Sequence, residues 1–273
     1  MDPGEGAPWQ PTERFAELVN RPEDVLAKSL DEAALLVAAH ARPGLELDVD
    51  AYLSRLDDLA AACAAPVLEE LLTHLFLVEG FRGNTHEYYD PRNSYLDEVL
   101  DRRLGIPLTL GVVLIEVGRR LGIELAGVAM PRHFMVRLPG EPVVLIDPFD
   151  GGRIMTGADC EARFRATTGG DVPFDPAYLE PVGPVAILRR MLANLRQIHA
   201  SRRDSLAVEW VLRLRSFLPG GTPEEESERA GVLVALARFD EAADVLEGMA
   251  DEAPAPRAGQ LAAQARRLRA RLN

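Results

Sequence analysis

Apolar residues recur every three or four positions through most of this chain, and the places where that rhythm stops are the informative ones. From Arg14 to about Val78 the helical spacing runs through "RFAELV", "SLDEAALLVAAHA", "DVDAYLSRLDDLAAACAA" and "PVLEELLTHLFLVEG", with proline and glycine between segments. His40 and His74 fall on these helices, where a lone histidine reads as a half-buried structural residue. A polar, aromatic loop follows, "GFRGNTHEYYDPRNSYLDEVLDRRLG". Asp90-Pro91 marks a turn in it, and Asn93 or Ser94 is placed to cap a helix over "SYLDEVLDRR". Gly105 would close that helix in a left-handed conformation. The next helix, "PLTLGVVLIEVGRRLG", has Pro107 at the favoured first position and Gly122 as its stop. It is apolar on most sides before "EVGRR", which predicts burial.

The period then changes to alternation. "ELAGVAM", "HFMVRL" and "PVVLID" read as short strands, and residues 159–183 as loop with one short helix. Beyond Pro184 the pattern is helical again in five segments, from "PVAILRRMLANLRQIHASR" to "PRAGQLAAQARRLRARL". Two of these, "RDSLAVEWVLRLRSFLP" and "FDEAADVLEGMADEAP", read as second helices of two helical hairpins. Their aspartates Asp204 and Asp240 lie 36 positions apart, close to the roughly 34-residue tetratricopeptide period. Two ordinary antiparallel helix pairs would give the same pattern.

Composition narrows the function classes. The chain has 273 residues and a formal net charge of −13, which disfavours a broad nucleic-acid-binding surface. The closing "RRLRARLN" reads as the solvated face of a last helix. Two cysteines, Cys63 and Cys160, argue against a disulfide framework or a cysteine-rich zinc site. No apolar run reaches membrane-span length, and the acidic, proline-rich start is unlike a signal peptide, so a cytoplasmic protein is expected.

The candidate chemistry lies in "MPRHFMVRLPGEPVVLIDPFDGG". If the hairpin is centred on Gly140, His133 and Asp147 face each other across an antiparallel pair, with Cβ atoms ~5 Å apart. A carboxylate at that distance orients an imidazole and fixes its tautomer, the relation on which triad chemistry depends. A buried hydrogen bond that merely pins the hairpin would look the same. The "DPFDGG" continuation predicts a tight loop with its backbone close to something.

"NSYLDEVLDRRLGIPLTLGVVLIEVGRRLGI", "PRHFMVRL" and "IDPFDGG" together resemble the SirB-type branch of the transglutaminase-like superfamily, from about Gly80 to Gly152. A C-terminal helical-repeat extension also fits that resemblance. It implies a Cys-His-Asp triad with the cysteine at the N-terminus of a buried helix, where the helix dipole favours thiolate. Counting back from Leu121-Gly122-Ile123, the cysteine position falls on Pro107, while His133 and Asp147 match the other two members. Proline offers neither a nucleophile nor a backbone N–H.

Two substitutes remain open, Cys160 and Thr109, the latter pointing about 200° round the helix from position 107. A metal site of His133, Asp147, His86 and Glu87 is the weaker alternative, since the tight ligand spacing is missing. The expected fold is α+β. A transglutaminase-like core of a buried helix and a small antiparallel sheet (80–183) follows a flexible tail (1–12) and an N-terminal helical segment (13–79). Tetratricopeptide-like hairpins (184–273) complete it. The expected function is a non-catalytic module with no cofactor, binding a protein or peptide through the hairpins or through a retained cleft of Tyr88, Tyr89, Asn93, His133 and Asp147, where the resemblance implies the place of the tyrosines and Asn93. Nucleic acid and membrane are not expected partners. The rival is a hydrolase or acyltransferase using Cys160 or Thr109.

Overall fold

The computed structural model describes residues 10–42, 46–169 and 172–271. The expected tail falls largely outside these residues; its last positions belong to the first helix, which begins at Gln10. The chain divides into two compact units, Met1–Met191 and Leu192–Asn273.

The first unit contains α1 (Gln10–Val19), α2 (Glu23–Leu26), α3 (Leu30–His40), α4 (Val49–Ala61), α5 (Leu68–Leu72), α6 (Leu96–Arg102), α7 (Pro107–Arg120) and α8 (Gly157–Thr168). Strands β1 (Arg82–Gly83) and β2 (Leu104–Gly105) form a two-stranded parallel ladder. A five-stranded antiparallel sheet has the order β6 (Arg153–Met155), β5 (Val144–Asp147), β4 (Met135–Leu138), β3 (Ala126–Val128), β7 (Pro181–Val182). Helix α7 is the hub. It packs against α3, α4, β3 and β4, so the N-terminal helices and the sheet share one core. Every residue from Pro107 to Gly118 is buried, as a helix apolar on most sides requires.

Glycines make the helix–sheet contact close. The Phe134 ring lies where a Cβ on Gly111 of α7 or Gly127 of β3 would have to stand, at 2.7 and 2.6 Å. Phe134 and Val136 thus face α7. On the opposite side Met135, Leu145 and Met155 form an apolar layer with Cys160 of α8.

Some local expectations are corrected. Asn93 and Ser94 lie in a 3₁₀ turn, Pro91–Ser94, and Tyr95 takes the N-cap place of α6 without a side-chain bond. The left-handed residue that ends α6 is Arg103 (φ 57°), and Gly105 is in β2, where Thr109 and Leu110 leave no room for a Cβ. Gly122 does end α7, at φ +74°. Helix α5 runs on as a π-helical turn, Thr73–Val78, that turns Phe76 inward.

Helix α9 (Pro184–Ser201) crosses the unit boundary. It is followed by α10 (Ser205–Ser216), α11 (Pro223–Ala235), α12 (Phe239–Glu252) and α13 (Ala255–Arg269). The turns before α10 and α12 are superposable in register. Left-handed Arg203 and Ala237, N-caps Asp204 and Arg238, and the bonds Asp204 N→His199 O and Arg238 N→Leu233 O each recur 34 positions apart. The spacing is therefore 34 and not 36, because Asp204 caps its helix whereas Asp240 lies in the first turn of α12. Small residues let α11, α12 and α13 approach, with Ala230, Ala243 and Ala265 buried alongside Leu246 and Leu261. A groove of about 750 Å³ opens among α10–α13, floored by Val245, Met249 and Leu261 and bordered by Glu252 and Arg257.

Candidate functional site: a His–Asp pair closed by arginine

The β4–β5 ladder pairs Val136 with Ile146 and Arg137 with Leu145, centring the hairpin on Glu141. The expected centre at Gly140 is one residue too early, because the loop is Pro139–Val143 and Val143 packs against the apolar layer that includes Cys160. Asp147 therefore lies across from the start of β4, and His133 precedes the strand in a turn closed by His133 N→Met130 O. The pair forms all the same. His133 Nε2 stands 3.0 Å from Asp147 Oδ1. An even register error keeps both residues on the same side.

Asp147 is fully buried and fully used. Oδ1 accepts from the Phe149 and Asp150 backbone N–H groups, at 3.0 and 3.3 Å, and Oδ2 is held by Arg163 Nη1 of α8. Burial raises its pKa, and the His133 contact with the Arg163 charge outweighs that, holding the carboxyl below the usual carboxylate range. An ionised carboxylate is acceptor-only, so Nε2 carries the ring proton and donates to it. The 3.0 Å contact between Arg163 Nη1 and the same Nε2 is then an approach of two donors sharing one carboxylate.

The turn that carries His133 is held from both sides. Arg190 of α9 donates to Met130 O (3.0 Å) and His133 O (2.9 Å), and Arg132 adopts φ 62° while donating to Thr167 O. After Asp147, Gly151 and Gly152 both take left-handed conformations, and Gly152 lies under the Phe76 ring, 2.4 Å from where its Cβ would be. Phe76 is the close neighbour that "DPFDGG" implied. Phe149 in turn covers Gly83 of β1.

The remaining candidates separate clearly. Tyr88 stacks edge-on against Tyr89 and Phe149, with ring centroids 5.3 and 5.9 Å apart, which puts it against the loop that follows Asp147; Tyr89 is exposed. Asn93 is fully buried and does not face the cleft. Its carbonyl oxygen accepts from Asn84, and its amide donates to Glu87 O and Tyr88 O, so it knots the loop together. Pro107 is buried at the start of α7. Thr109 donates to Asn93 O at 2.6 Å and accepts from Ile106 N, an end-of-helix role. Cys160 is fully buried, and burial pushes its thiol up to about 11. Among the described residues the ring of His133 meets only Asp147 and Arg163 through hydrogen-bond or ion-pair contacts. His86 and Glu87 are not gathered with the pair into a group able to hold a metal ion. Among the described residues no helix is long and apolar enough to cross a membrane.

A buried helix against an antiparallel sheet, with His and Asp at the ends of successive strands, defines a transglutaminase-like class of domain. The family described as the transglutaminase-like superfamily matches residues 27–193. A UPF0162 protein of Xylella fastidiosa is 40% identical over 212 residues, covering 73% of this chain and 75% of that protein. A UPF0162 protein of Pseudomonas aeruginosa is 35% identical over 75% of this chain and 77% of its own length. Mouse F-box only protein 21 is 36% identical over 124 residues, 42% of this chain and 19% of that protein. The chain belongs to the transglutaminase-like superfamily and, within it, to the UPF0162 family. No solved structure matches it.

Proposed function

We propose that this chain is a non-catalytic, SirB-type transglutaminase-like protein that binds a protein or peptide partner as a regulatory module. The observation that carries the reading is the state of the retained pair. Position 107, where the superfamily resemblance implies a nucleophilic cysteine, is a buried proline, and Arg163 Nη1 lies against both Asp147 and the His133 ring. Without Ser, Thr or Cys against the imidazole, acyl-transfer chemistry lacks its first step. The substitutes fare poorly as nucleophiles, since the Thr109 hydroxyl is committed to a backbone carbonyl and the Cys160 thiol is held protonated by burial.

Binding through the hairpins is supported by the 34-residue recurrence and the groove, which fit a tetratricopeptide-like array. The cleft beside Tyr88 is the second surface. Gly248 lines the groove with nothing near its missing Cβ. Chemical crosslinking of the full chain in cells, compared with Gly248→Trp and Tyr88→Ala variants, tests the reading. A partner lost with either substitution is expected. A full chain that hydrolyses model esters or thioesters in a His133-dependent way would overturn it.

A further inference from the structure

Two acids are buried where α3 meets the last turns of α7. Glu116 is fully buried, and Asp31, in the first turn of α3, is 2% exposed. The same two arginines hold both acids, through one oxygen of each. Arg119 Nη2 lies 2.8 Å from Glu116 Oε2 and 3.6 Å from Asp31 Oδ2, and Arg120 reaches the same two oxygens at 3.1 and 2.7 Å. Arg120 Nε also meets Asp57 of α4 at 2.6 Å, so one guanidinium joins three helices. Among the described residues no other charged side chain pairs with Glu116, and the next turn of α7, at Gly118, faces the apolar Leu71 of α5 and Leu125. Asp31 Oδ1 accepts the Glu32 N–H. Glu116 Oε1 is buried and meets no donor. With every acid ionised, two guanidinium groups face three carboxylates, and a buried oxygen has lost its hydration without replacement. A proton on Oε1 removes both faults. It cancels the extra charge and turns the orphan acceptor into a donor, with Asp31 within hydrogen-bond reach.

We infer that Glu116 and Asp31 share one proton that ties the first turn of α3 to α7, and that this corner of the fold loosens as pH rises to neutrality. Burial, and then Asp31, push the Glu116 carboxyl up to about 7. The closed corner therefore keeps a proton that an opened, hydrated Glu116 would give up. Between the ordinary glutamate value and about 7 each opening releases that proton, so opening is favoured as pH climbs through this range. Above it both forms are ionised and the dependence ends. The response belongs to the corner because little else fixes it. Helix α3 enters from the four-residue α2, and its N-cap, Ser29, makes no side-chain bond, which leaves Arg119 and Arg120 as the polar anchors of its first turn.

The test uses the full chain with carbon-13-labelled glutamate, followed by NMR from acid to mildly alkaline pH, with Glu116→Gln identifying the Glu116 carboxyl signal. Amide hydrogen exchange is read over the same range, corrected for intrinsic rates, at Ala33, bonded to Ser29 O, and Leu121, bonded to Val117 O. The Glu116 carboxyl is expected to titrate near neutrality. Exchange at both amides should quicken by close to tenfold per pH unit up to about pH 7 and then level off, while the buried Val136 and Ile146 of the sheet keep their protection. Glu116→Gln, which keeps a donor and cannot ionise, should abolish the rise. Asp31→Asn should move the Glu116 midpoint down and shorten it. A Glu116 carboxyl that titrates in the ordinary glutamate range overturns the shared proton, and so does a midpoint that Asp31→Asn leaves in place. A neutral midpoint with pH-independent exchange at Ala33 and Leu121, or with an equal loss of protection at Val136 and Ile146, overturns the loosening of the corner. The titration and the exchange profile are read on the unaltered chain, so both stand if a variant fails to fold.

Discussion

Arg163 and His133 hold Asp147 ionised from two sides, and its stabilising effect is present above the ordinary carboxylate pKa and lost as pH falls through the depressed one. Removing the arginine leaves a buried carboxylate with one side-chain partner. Arg163→Ala is expected to lower stability by about 2 kcal/mol, measured by urea unfolding. Glu116 of α7 behaves in the opposite way. Burial, and then the neighbouring Asp31, push its carboxyl from 4.5 up to about 7, although Arg119 and Arg120 both reach it. A raised folded-state pKa contributes stability that is full below the unfolded value and is lost as pH rises through the folded one. This group should therefore cost the protein on the order of 3 kcal/mol between about pH 4.5 and 7. Glu116→Gln is expected to be progressively more stable relative to wild type as pH rises through that range. A stability difference that stays flat with pH would refute the assignment.

At the level of elements, close approach governs the site. The β5–β6 connection can pass under the π-helical turn only because Gly152 has no Cβ, and its neighbour Gly151 shares the left-handed backbone without the contact. Gly151→Ala should cost about 1 kcal/mol from backbone strain alone. Gly152→Ala should cost clearly more, about 3 kcal/mol, because strain and the Phe76 clash add; thermal melts of the two variants separate the effects. In the C-terminal unit, Ala237→Gly should stabilise by about 0.5 kcal/mol, relieving a left-handed alanine at some cost in unfolded-chain entropy. These contacts explain what was readable in the residue pattern. The period change near residue 124 located three strands of the main sheet, since alternation reports a sheet with two differently packed faces. The two-residue strands β1, β2 and β7 carry too few residues for any period, and β6 too is short.

Across the whole molecule, the His–Asp pair was legible because both residues are polar in apolar surroundings at an even separation. The register error of two did not matter to that relation. Arg163 and Arg190 were not legible. Both lie on helices in a chain rich in arginine, and a helical arginine reads as a solvated side chain until the turn it reaches across to is known. The placing of Asn93 in the cleft rests on the superfamily resemblance, and the residue is fully buried as the knot of its loop. The missing nucleophile was visible as Pro107, and its meaning came from the superfamily resemblance, since proline at a helix start is otherwise ordinary. If His133 has no nucleophile to serve, the rate at which iodoacetamide alkylates Cys160 in the native chain near neutral pH should not depend on the imidazole. Labelling should be slow, rise only toward the thiol's elevated pKa of about 11 and be unchanged by His133→Ala. Rapid labelling of Cys160 at neutral pH that disappears with His133→Ala would contradict it.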